Sequence, residues 1–576
     1  MIRLSSCPKK HRVELDKATS PAETVARVRE KLQHLPLDIL ATTKRIDVGR
    51  LNIPVYVSLC GSDARKIMPT RKQMGKGASP QQAEASALME LMERYAFFTF
   101  WERLPHLPQV VKATWSEAEA RFGSALIPVE ELLLSVNDSL SPTAARELLD
   151  CVRWQFLPLT CLNTMQDLWV PLNWFKKLGE FNGTSAGNTE EESLLQGVCE
   201  IIERHACCLI DREQRVVPTI DPASIDNAIL QNLLTAFAKQ GVQLILKDFS
   251  CQMPVPTVAA LAWDPATFPA QSEIVYTAGT ASSPIKAAIR AVTEVAQLAG
   301  DFCTSACYEA SGLQKFQTLD QASWLLQGPL VSIDTLPSVE SADILEELTA
   351  LVQHLAAQDR RVYALSTMHP DVQVNTHYCI IPGTAFRERD INQSLGLFIG
   401  RILTEEGTAD EINTGMKLLE KYYPKGHFIP FFQGMLALRS EDLPLAQHFF
   451  TLAETLQPEA DSQALTAFYV AYTATLMGDW QAALPPLDRA VQLCPDMKEY
   501  WNLRGVAHFK TQNYVAAAHN FECVLKIDKG SVMDIANLGL CHKFMNQPEK
   551  ARVYLQTALE LDPNLEFAKS HLQELA

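Results

Sequence analysis

Three stretches of this 576-residue chain place polar side chains at matching distances from a helix start. Ser79-Pro80, Thr189 and Ser283-Pro284 are typical helix starts. Ser and Thr at the N-cap accept hydrogen bonds from first-turn amides, and Pro at the first helical position loses no hydrogen bond because that amide would have no partner in the helix. The same positions after each cap, spaced i, i+4 and i+7, share one helix face. They hold Ser86, Glu90 and Glu93, then Gln196, Glu200 and Glu203, then Arg290, Glu294 and Gln297.

Carboxylates on these stripes need partners. A single polar stripe is ordinarily a solvated helix face, but the first helix carries apolar residues around most of its circumference. Four glutamates on two such helices would repel each other unless a cation lay among them. Mg²⁺ prefers oxygen ligands and is commonly bound by a few carboxylates together with substrate phosphates. The pattern therefore predicts a Mg²⁺ and nucleotide site.

The same motifs resemble those of the YcaO family of ATP-dependent proteins. They are SxxxExxER at residues 86–94, SAGN with QxxxExxER at residues 185–204, and RxxxExxQ at residues 290–297. An N-terminal KATSPAET also resembles the first nucleotide-contacting segment of the family, with Lys17 and Thr24 at the matching positions. The resemblance covers roughly residues 10 to 405.

This resemblance implies an ATP site without a Walker P-loop. It implies that Mg²⁺ is held by Glu90, Glu93, Glu200 and Glu203. It implies that nucleotide is contacted, or the site ordered, by Lys17, Thr24, Ser86, Asn188, Glu192, Gln196, Arg204, Arg290 and Glu294. Arg204 and Arg290 are expected to act in catalysis, as fixed cations that stabilise the transferred phosphoryl group.

The elements that must position these residues alternate along the chain. An amphipathic helix is predicted at residues 22–34, and strands are predicted at residues 51–60, 153–159, 168–172, 242–248, 257–263, 274–277, 361–366 and 377–381. This interleaving predicts an α+β catalytic domain of repeated strand and helix units at residues 1–405.

After a predicted helical linker at residues 406–426, the sequence repeats with a different period. Gly505 and Gly539 are 34 residues apart, as are Ala517 and Ala551. Thirty-four residues is the tetratricopeptide period. We expect an all-α solenoid with a capping helix at residues 427–576, which either supports the catalytic domain or docks a peptide or protein.

Composition narrows the class of protein. Apolar residues make up 47% and charged residues 20%, as in soluble globular proteins, and the net charge of −16 argues against nucleic acid or membrane as a partner. No signal peptide or membrane span is recognisable, so we expect a cytoplasmic location. The 14 cysteines form no CxxC pair, which argues against a structural zinc, and Cys199 is most simply a packed thiol.

The resemblance implies ATP- and Mg²⁺-dependent activation of a peptide backbone amide by O-phosphorylation, within a post-translational modification. The chain ends in LEFAKSHLQELA rather than in the Pro-rich tail of heterocycle-forming members, so we expect the non-azoline type. One alternative is an ATP-using accessory factor for a modification enzyme, such as one for ribosomal-protein β-methylthiolation. The other is a non-catalytic interaction protein. Expected partners are a peptide or protein substrate, a modification enzyme bound through the repeats, and a second copy of the chain in a homodimer.

Overall fold

The computed structural model describes residues 2–136, 138–304, 313–387, 394–528 and 530–575. The chain forms two compact units, Met1–Arg146 with Arg153–Ser394 and Glu147–Val152 with Leu395–Ala576. The domain boundaries predicted at residues 405 and 426 stay predictions. Ala576, the last residue of the predicted repeat region, lies outside the described residues. Within the described part of the chain, every helix is too short or too polar to span a membrane.

Among the described residues, all strands lie in the first unit. They are β1 (Leu40–Arg45), β2 (Val55–Cys60), β3 (Lys72–Lys76), β4 (Val111–Ala113), β5 (Trp154–Cys161), β6 (Gln166–Pro171), β7 (Thr184–Gly187), β8 (Thr219–Ile220), β9 (Gln243–Asp248), β10 (Thr257–Trp263), β11 (Val275–Thr280), β12 (Leu330–Val331), β13 (Tyr363–Ser366) and β14 (Asn375–Ile380).

Helices occur in both units. They are α1 (Pro21–Gln33), α2 (Ala64–Ile67), α3 (Pro80–Arg103), α4 (Trp115–Phe122), α5 (Val129–Ser135), α6 (Pro142–Leu149), α7 (Leu172–Gly179), α8 (Glu190–Glu213), α9 (Ala228–Lys239), α10 (Pro284–Ala299), α11 (Ile344–Ala356), α12 (Leu395–Glu406), α13 (Ala409–Tyr422), α14 (Phe428–Arg439), α15 (Leu443–Glu454), α16 (Ala460–Leu476), α17 (Trp480–Leu493), α18 (Lys498–Lys510), α19 (Tyr514–Ile527), α20 (Val532–Phe544), α21 (Pro548–Leu561) and α22 (Glu566–Gln573).

The strands form three sheets. The first has the order β1-β2-β3, the second β11-β10-β9-β8-β12, and the third β4-β5-β13-β14-β7 with β6 also paired to β5. All pairs are antiparallel except β8 with β12. Helices packed against largely antiparallel sheets confirm the predicted α+β class.

Most predicted strands form near their expected positions, and β10 coincides with the prediction at residues 257–263. The strand predicted at residues 51–60 begins only at Val55, because Pro54 has no backbone N–H to donate to a ladder. The strands that were not predicted are β1, β3, β4, β7, β8 and β12. Of these, β3 and β7 read KQMGK and TSAG, which carry no alternation of apolar and polar residues.

Each of the three capped helices follows a strand that contains a glycine: α3 follows β3, α8 follows β7, and α10 follows β11. The helix packs so closely on that glycine that a Cβ atom would meet its backbone. A Cβ atom on Gly75 would lie 2.0 Å from the nitrogen of Ala87 in α3, and one on Gly187 would lie 2.3 Å from the nitrogen of Ser193 in α8. A Cβ atom on Gly279 would lie 2.6 Å from the carbonyl oxygen of Ala287 in α10. Strand, cap and helix thus form one repeated unit.

The predicted caps differ in detail. Ser79 and Thr189 are N-caps whose hydroxyls accept hydrogen bonds from the backbone N–H of Gln82 and Glu192, at 3.3 and 3.2 Å. Ser283 is also an N-cap in extended conformation, but its side chain makes no capping hydrogen bond. The start of α10 therefore depends on Pro284 and on packing.

The second unit is wholly helical, as predicted. Helices α14 to α21 pair in sequence, and the glycines at the repeat period make room for a large side chain of the paired helix. A Cβ atom at Gly434, Gly505 or Gly539 would lie within 2.9 Å of Phe450, Phe521 or Leu555. These contacts are those expected of stacked helical hairpins.

We predict that Gly75→Ala lowers the free energy of unfolding by at least about 2 kcal/mol, because the new methyl group would collide with α3 backbone that cannot move without losing its place on β3. Thermal unfolding measured by calorimetry tests this. Gly530→Ala is the matched control, because its Cβ would meet nothing nearer than 3.5 Å. Equal melting temperatures for the two variants would contradict the close packing.

Candidate functional site

The polar stripes of α3, α8 and α10 meet at a cavity of about 340 Å³ in the first unit. All thirteen residues predicted for the site line this cavity, although their roles stay predictions. They are Lys17, Thr24, Ser86, Glu90, Glu93, Asn188, Glu192, Gln196, Glu200, Glu203, Arg204, Arg290 and Glu294. The repeated spacing from each cap thus brings together residues more than 200 positions apart in the chain.

Three of the four glutamates predicted as metal ligands, Glu93, Glu200 and Glu203, are each contacted through one carboxylate oxygen. Glu93 accepts a hydrogen bond from the Thr184 hydroxyl on β7 at 2.8 Å, and Glu203 accepts one from the backbone N–H of Thr280 on β11 at 2.8 Å. Glu200 lies 3.6 Å from the guanidinium of Arg204, a distance too long for a strong charge-assisted bond. The remaining oxygens can therefore face the cavity.

Burial dominates the electrostatics of these carboxyls. Burial and neighbouring glutamates raise the pKa of Glu93 to about 8 and that of Glu203 to about 7, although arginines oppose the shift. Burial likewise raises the pKa of Glu90. Glu294 differs, because its burial is outweighed by Lys76, Arg204 and Arg290, which lower its pKa. The protein's own cations thus neutralise Glu294 but leave Glu90, Glu93 and Glu203 short of positive charge.

The donor set fits Mg²⁺ together with a polyanion. Among the described residues, no three His, Cys, Asp or Glu side chains are close enough to bind a metal ion by themselves. Mg²⁺ often takes one or two carboxylates and completes its shell with water and phosphate oxygens. In the described part of the chain, the buried Nε of Arg290 has no hydrogen-bond acceptor, so this guanidinium keeps a donor for an anion.

A second network joins the residues predicted to contact nucleotide. The side-chain amide of Asn188 donates to Glu192 at 3.0 Å, and its oxygen accepts from the Thr24 hydroxyl at 2.8 Å. Lys17 lies 3.3 Å from the same Glu192 carboxylate. Thr24 is placed by α1, which begins with a capping box between Ser20 and Glu23.

Arg290 and Glu294 sit on α10, one turn apart. Arg290 donates to the amide oxygen of Gln196 at 2.9 Å, which links α10 to α8. Glu294 forms an ion pair with Lys76 at the end of β3, which links α10 to the strand before α3. The three motif helices are therefore cross-linked by polar side chains of the cavity wall.

Several lining residues were missed by sequence reasoning. Lys76 was missed because β3 has no strand pattern, and Glu14 because only KATSPAET was matched. Arg94 ends the SxxxExxER motif at residues 86–94 but was not predicted to be a site residue. Its guanidinium lies 4.3 Å from the centre of the Phe181 ring and beside Glu93. The repeated ExxER motif was the one available signal for Arg94.

Comparison with known proteins places these features in a family. The family model described as YcaO cyclodehydratase, ATP- and Mg²⁺-binding, matches residues 74–385, and a tetratricopeptide repeat model matches residues 535–565. An uncharacterized protein of Methanothermobacter thermautotrophicus is 30% identical over 49% of this chain and 70% of its own length.

A second relative has an assigned role. The ribosomal protein S12 methylthiotransferase accessory factor YcaO of Escherichia coli is 25% identical over 61% of this chain and 65% of its own length. Among solved structures, a heterocyclase in complex with substrate and cofactor is 20% identical, with a TM-score of 0.52 over 67% of this chain and 54% of that one, which is a likeness of fold. With its family model matched across residues 74–385, this chain belongs to the YcaO family of ATP- and Mg²⁺-binding proteins.

Proposed function

We propose that this protein uses ATP and Mg²⁺ to activate a peptide backbone amide by O-phosphorylation, as one step of a post-translational modification. The observation that carries the proposal is the single cavity in which four glutamates from α3 and α8 face Lys17, Arg204 and Arg290. Opposed charges around one cavity suit a magnesium-bound polyphosphate, because both the metal and the phosphates then find partners.

Within this proposal, Mg²⁺ would be held by carboxylates from the set Glu90, Glu93, Glu200 and Glu203, one or two of them at each ion, with phosphate oxygens and water completing the shell. Nucleotide would be contacted by Lys17, Thr24, Ser86, Asn188, Glu192, Gln196, Arg204, Arg290 and Glu294. When bound, magnesium-ATP supplies a transferable phosphoryl group whose charge the metal partly neutralises.

Arg204 and Arg290 act as fixed cations beside the transferred group. Gln196 holds one end of the Arg290 guanidinium, so little reorganisation is required when negative charge develops. The substrate is expected to provide the nucleophile. Cys199 is buried and its pKa is raised to about 12, so this thiol stays protonated at neutral pH.

The second unit is proposed to dock the peptide or protein substrate, or a partner modification enzyme. Exposed apolar side chains lie along one face of α16, at Leu465, Tyr472 and Leu476. These residues are spaced i, i+7 and i+11, so they form one stripe that leaves apolar surface in water. Stacked helical hairpins commonly bind extended peptides on such a surface.

An accessory role is the second candidate function. Its support is the similarity to the Escherichia coli accessory factor, which is comparable in extent to the other matches. In that case ATP turnover at the same cavity would drive a change in a partner enzyme rather than a covalent change of the substrate by this chain.

The first test is magnesium-dependent ATP binding. Glu200→Gln keeps volume but removes one carboxylate charge, and should weaken the binding of magnesium-ATP about 10- to 100-fold. Isothermal titration calorimetry measures this. Glu102→Gln is the matched control, because Glu102 is an exposed residue on α3 outside the cavity lining. If the wild-type protein binds ATP equally well with and without magnesium, the proposed metal site is wrong.

The second test uses metal-free protein. The pKa of Glu93 is raised above its unfolded value, so its contribution to stability is complete at low pH and is lost as pH rises through about 8. Glu93→Gln removes this penalty, and should raise the free energy of unfolding at pH 8 by on the order of 1 kcal/mol. Denaturant titration at pH 5 and pH 8 measures it. A variant that is less stable than wild type at pH 8 would instead make Glu93 a structural partner of Arg94.

The third test separates the candidate functions. A cell extract is fractionated for components that stimulate ATP hydrolysis by this protein. The mass of each purified component is then measured by mass spectrometry before and after incubation with the protein and magnesium-ATP. A mass change produced by this chain alone supports amide activation. A mass change that requires an added modification enzyme supports the accessory role, and stimulation by no component favours a non-catalytic interaction protein.

A further inference from the structure

Residues 9–18, here called the N-terminal loop, close on themselves before reaching the cavity. The backbone N–H of Lys17 donates to the carbonyl of His11 at 2.9 Å, and that of His11 donates back to Lys17 at 3.1 Å. The loop carries Glu14 and Lys17, both of which line the cavity.

This loop contacts the first turns of all three motif helices. Glu14 accepts hydrogen bonds from the Ser79 hydroxyl at 2.8 Å and from the backbone N–H of Ala78, at the start of α3. The backbone N–H of Ala18 donates to Glu192 in the first turn of α8 at 2.9 Å. Lys286 in the first turn of α10 makes the third contact.

Lys286 makes three contacts with the loop. Its ammonium group donates to the carbonyl oxygens of Arg12 at 3.1 Å and Glu14 at 3.2 Å, and lies 3.5 Å from the Asp16 carboxylate. Asp16 is also bound by Lys9 at 2.8 Å. Because Lys286 is 8% exposed, its charge is not screened by water and depends on these partners.

Lys9 completes the network on the other side of the loop. Its ammonium group lies 2.5 Å from Glu347 on α11, and both side chains are buried. Two apolar residues of the loop also pack: Ala18 joins a small cluster with Cys7 and Ile344, and Leu15 packs against the larger core that contains residues of α10. Buried ion pairs and carbonyl contacts hold the rest of the loop in place.

We propose that Lys286 is a positioning residue for the nucleotide site: by binding Arg12, Glu14 and Asp16, it fixes the N-terminal loop so that Lys17 is held at the cavity. This inference rests on the proposed function, because it assigns the loop's position to nucleotide binding. Lys286 acts from outside the cavity lining, one helical turn before Arg290.

Binding measurements test the positioning role. Lys286→Met should weaken magnesium-ATP binding about tenfold, and Lys286→Arg, which restores the charge and donors, should stay within about threefold of wild type. Lys239→Met, at the exposed end of α9, is the matched control. The specific readout is coupling to Lys17. If Lys286 acts through Lys17, then adding Lys17→Ala to the Lys286→Met variant should weaken magnesium-ATP binding by less than about threefold further.

If the fold-losses in magnesium-ATP affinity caused by Lys17→Ala and Lys286→Met multiply in the double variant, the two residues act independently and the proposal is overturned. An unchanged affinity in Lys286→Met would also overturn it. Should Lys286→Met fail to fold, Asp16→Asn replaces it, because it keeps side-chain volume while removing the charge that faces Lys286. The same coupling to Lys17 is then expected, and its absence overturns the proposal.

Hydrogen exchange of the ligand-free protein separates this inference from the proposed function. Backbone amides of residues 10–18 and of Ala78 should exchange faster in Lys286→Met than in wild type. Unchanged exchange, with wild-type ATP binding intact, overturns the inference alone. Absence of magnesium-ATP binding by wild type overturns the proposed function and the positioning role with it, while the exchange data still show whether Lys286 anchors the loop.

Discussion

The burial of several carboxylates around one cavity is the constraint on which the rest of the first unit depends. Glu90, Glu93 and Glu203 have raised pKa values because burial and mutual repulsion disfavour their charge. Glu294 differs, because Lys76 and the nearby arginines lower its pKa despite its burial. Buried carboxylates that repel one another cost stability in the ligand-free protein, and such a cost is commonly retained at sites where it serves binding. Here the positive charge that the carboxylates lack is what a magnesium ion supplies.

The fold holds these buried carboxylates on helices that are fixed against sheets. Each motif helix lies directly on a strand glycine, so its backbone is fixed relative to a sheet, and the carboxylates project from the following turns. Thr184 and Thr280, at the ends of β7 and β11, then orient Glu93 and Glu203. Preorganisation of this kind limits the motion needed when a phosphoryl group and its metal are bound.

The first turns of the helices have a different task from the turns that carry the carboxylates. They bind the N-terminal loop through Ser79, Glu192 and Lys286, and so determine where Lys17 lies. The helical second unit contributes a surface rather than charge to the proposed chemistry, since its stacked hairpins leave Leu465, Tyr472 and Leu476 exposed. Nucleotide binding and partner docking are thus proposed for separate sets of residues.

The sequence by itself determined what depends on local patterns: the three caps, the helix stripes, the 34-residue repeat and apolar strands such as β10. Family motifs added Lys17 and Thr24, which spacing alone would not have indicated. Only the tertiary structure decided which residues from other elements complete the site. Lys76 and Glu14 occupy stretches without periodicity, and Lys286 lies one turn before the first residue of the α10 stripe. All three reach the cavity or its loop through contacts across 64 to 272 residues. Such long-range ion pairs leave no local pattern, because their geometry depends on sheet pairing and helix packing rather than on sequence spacing.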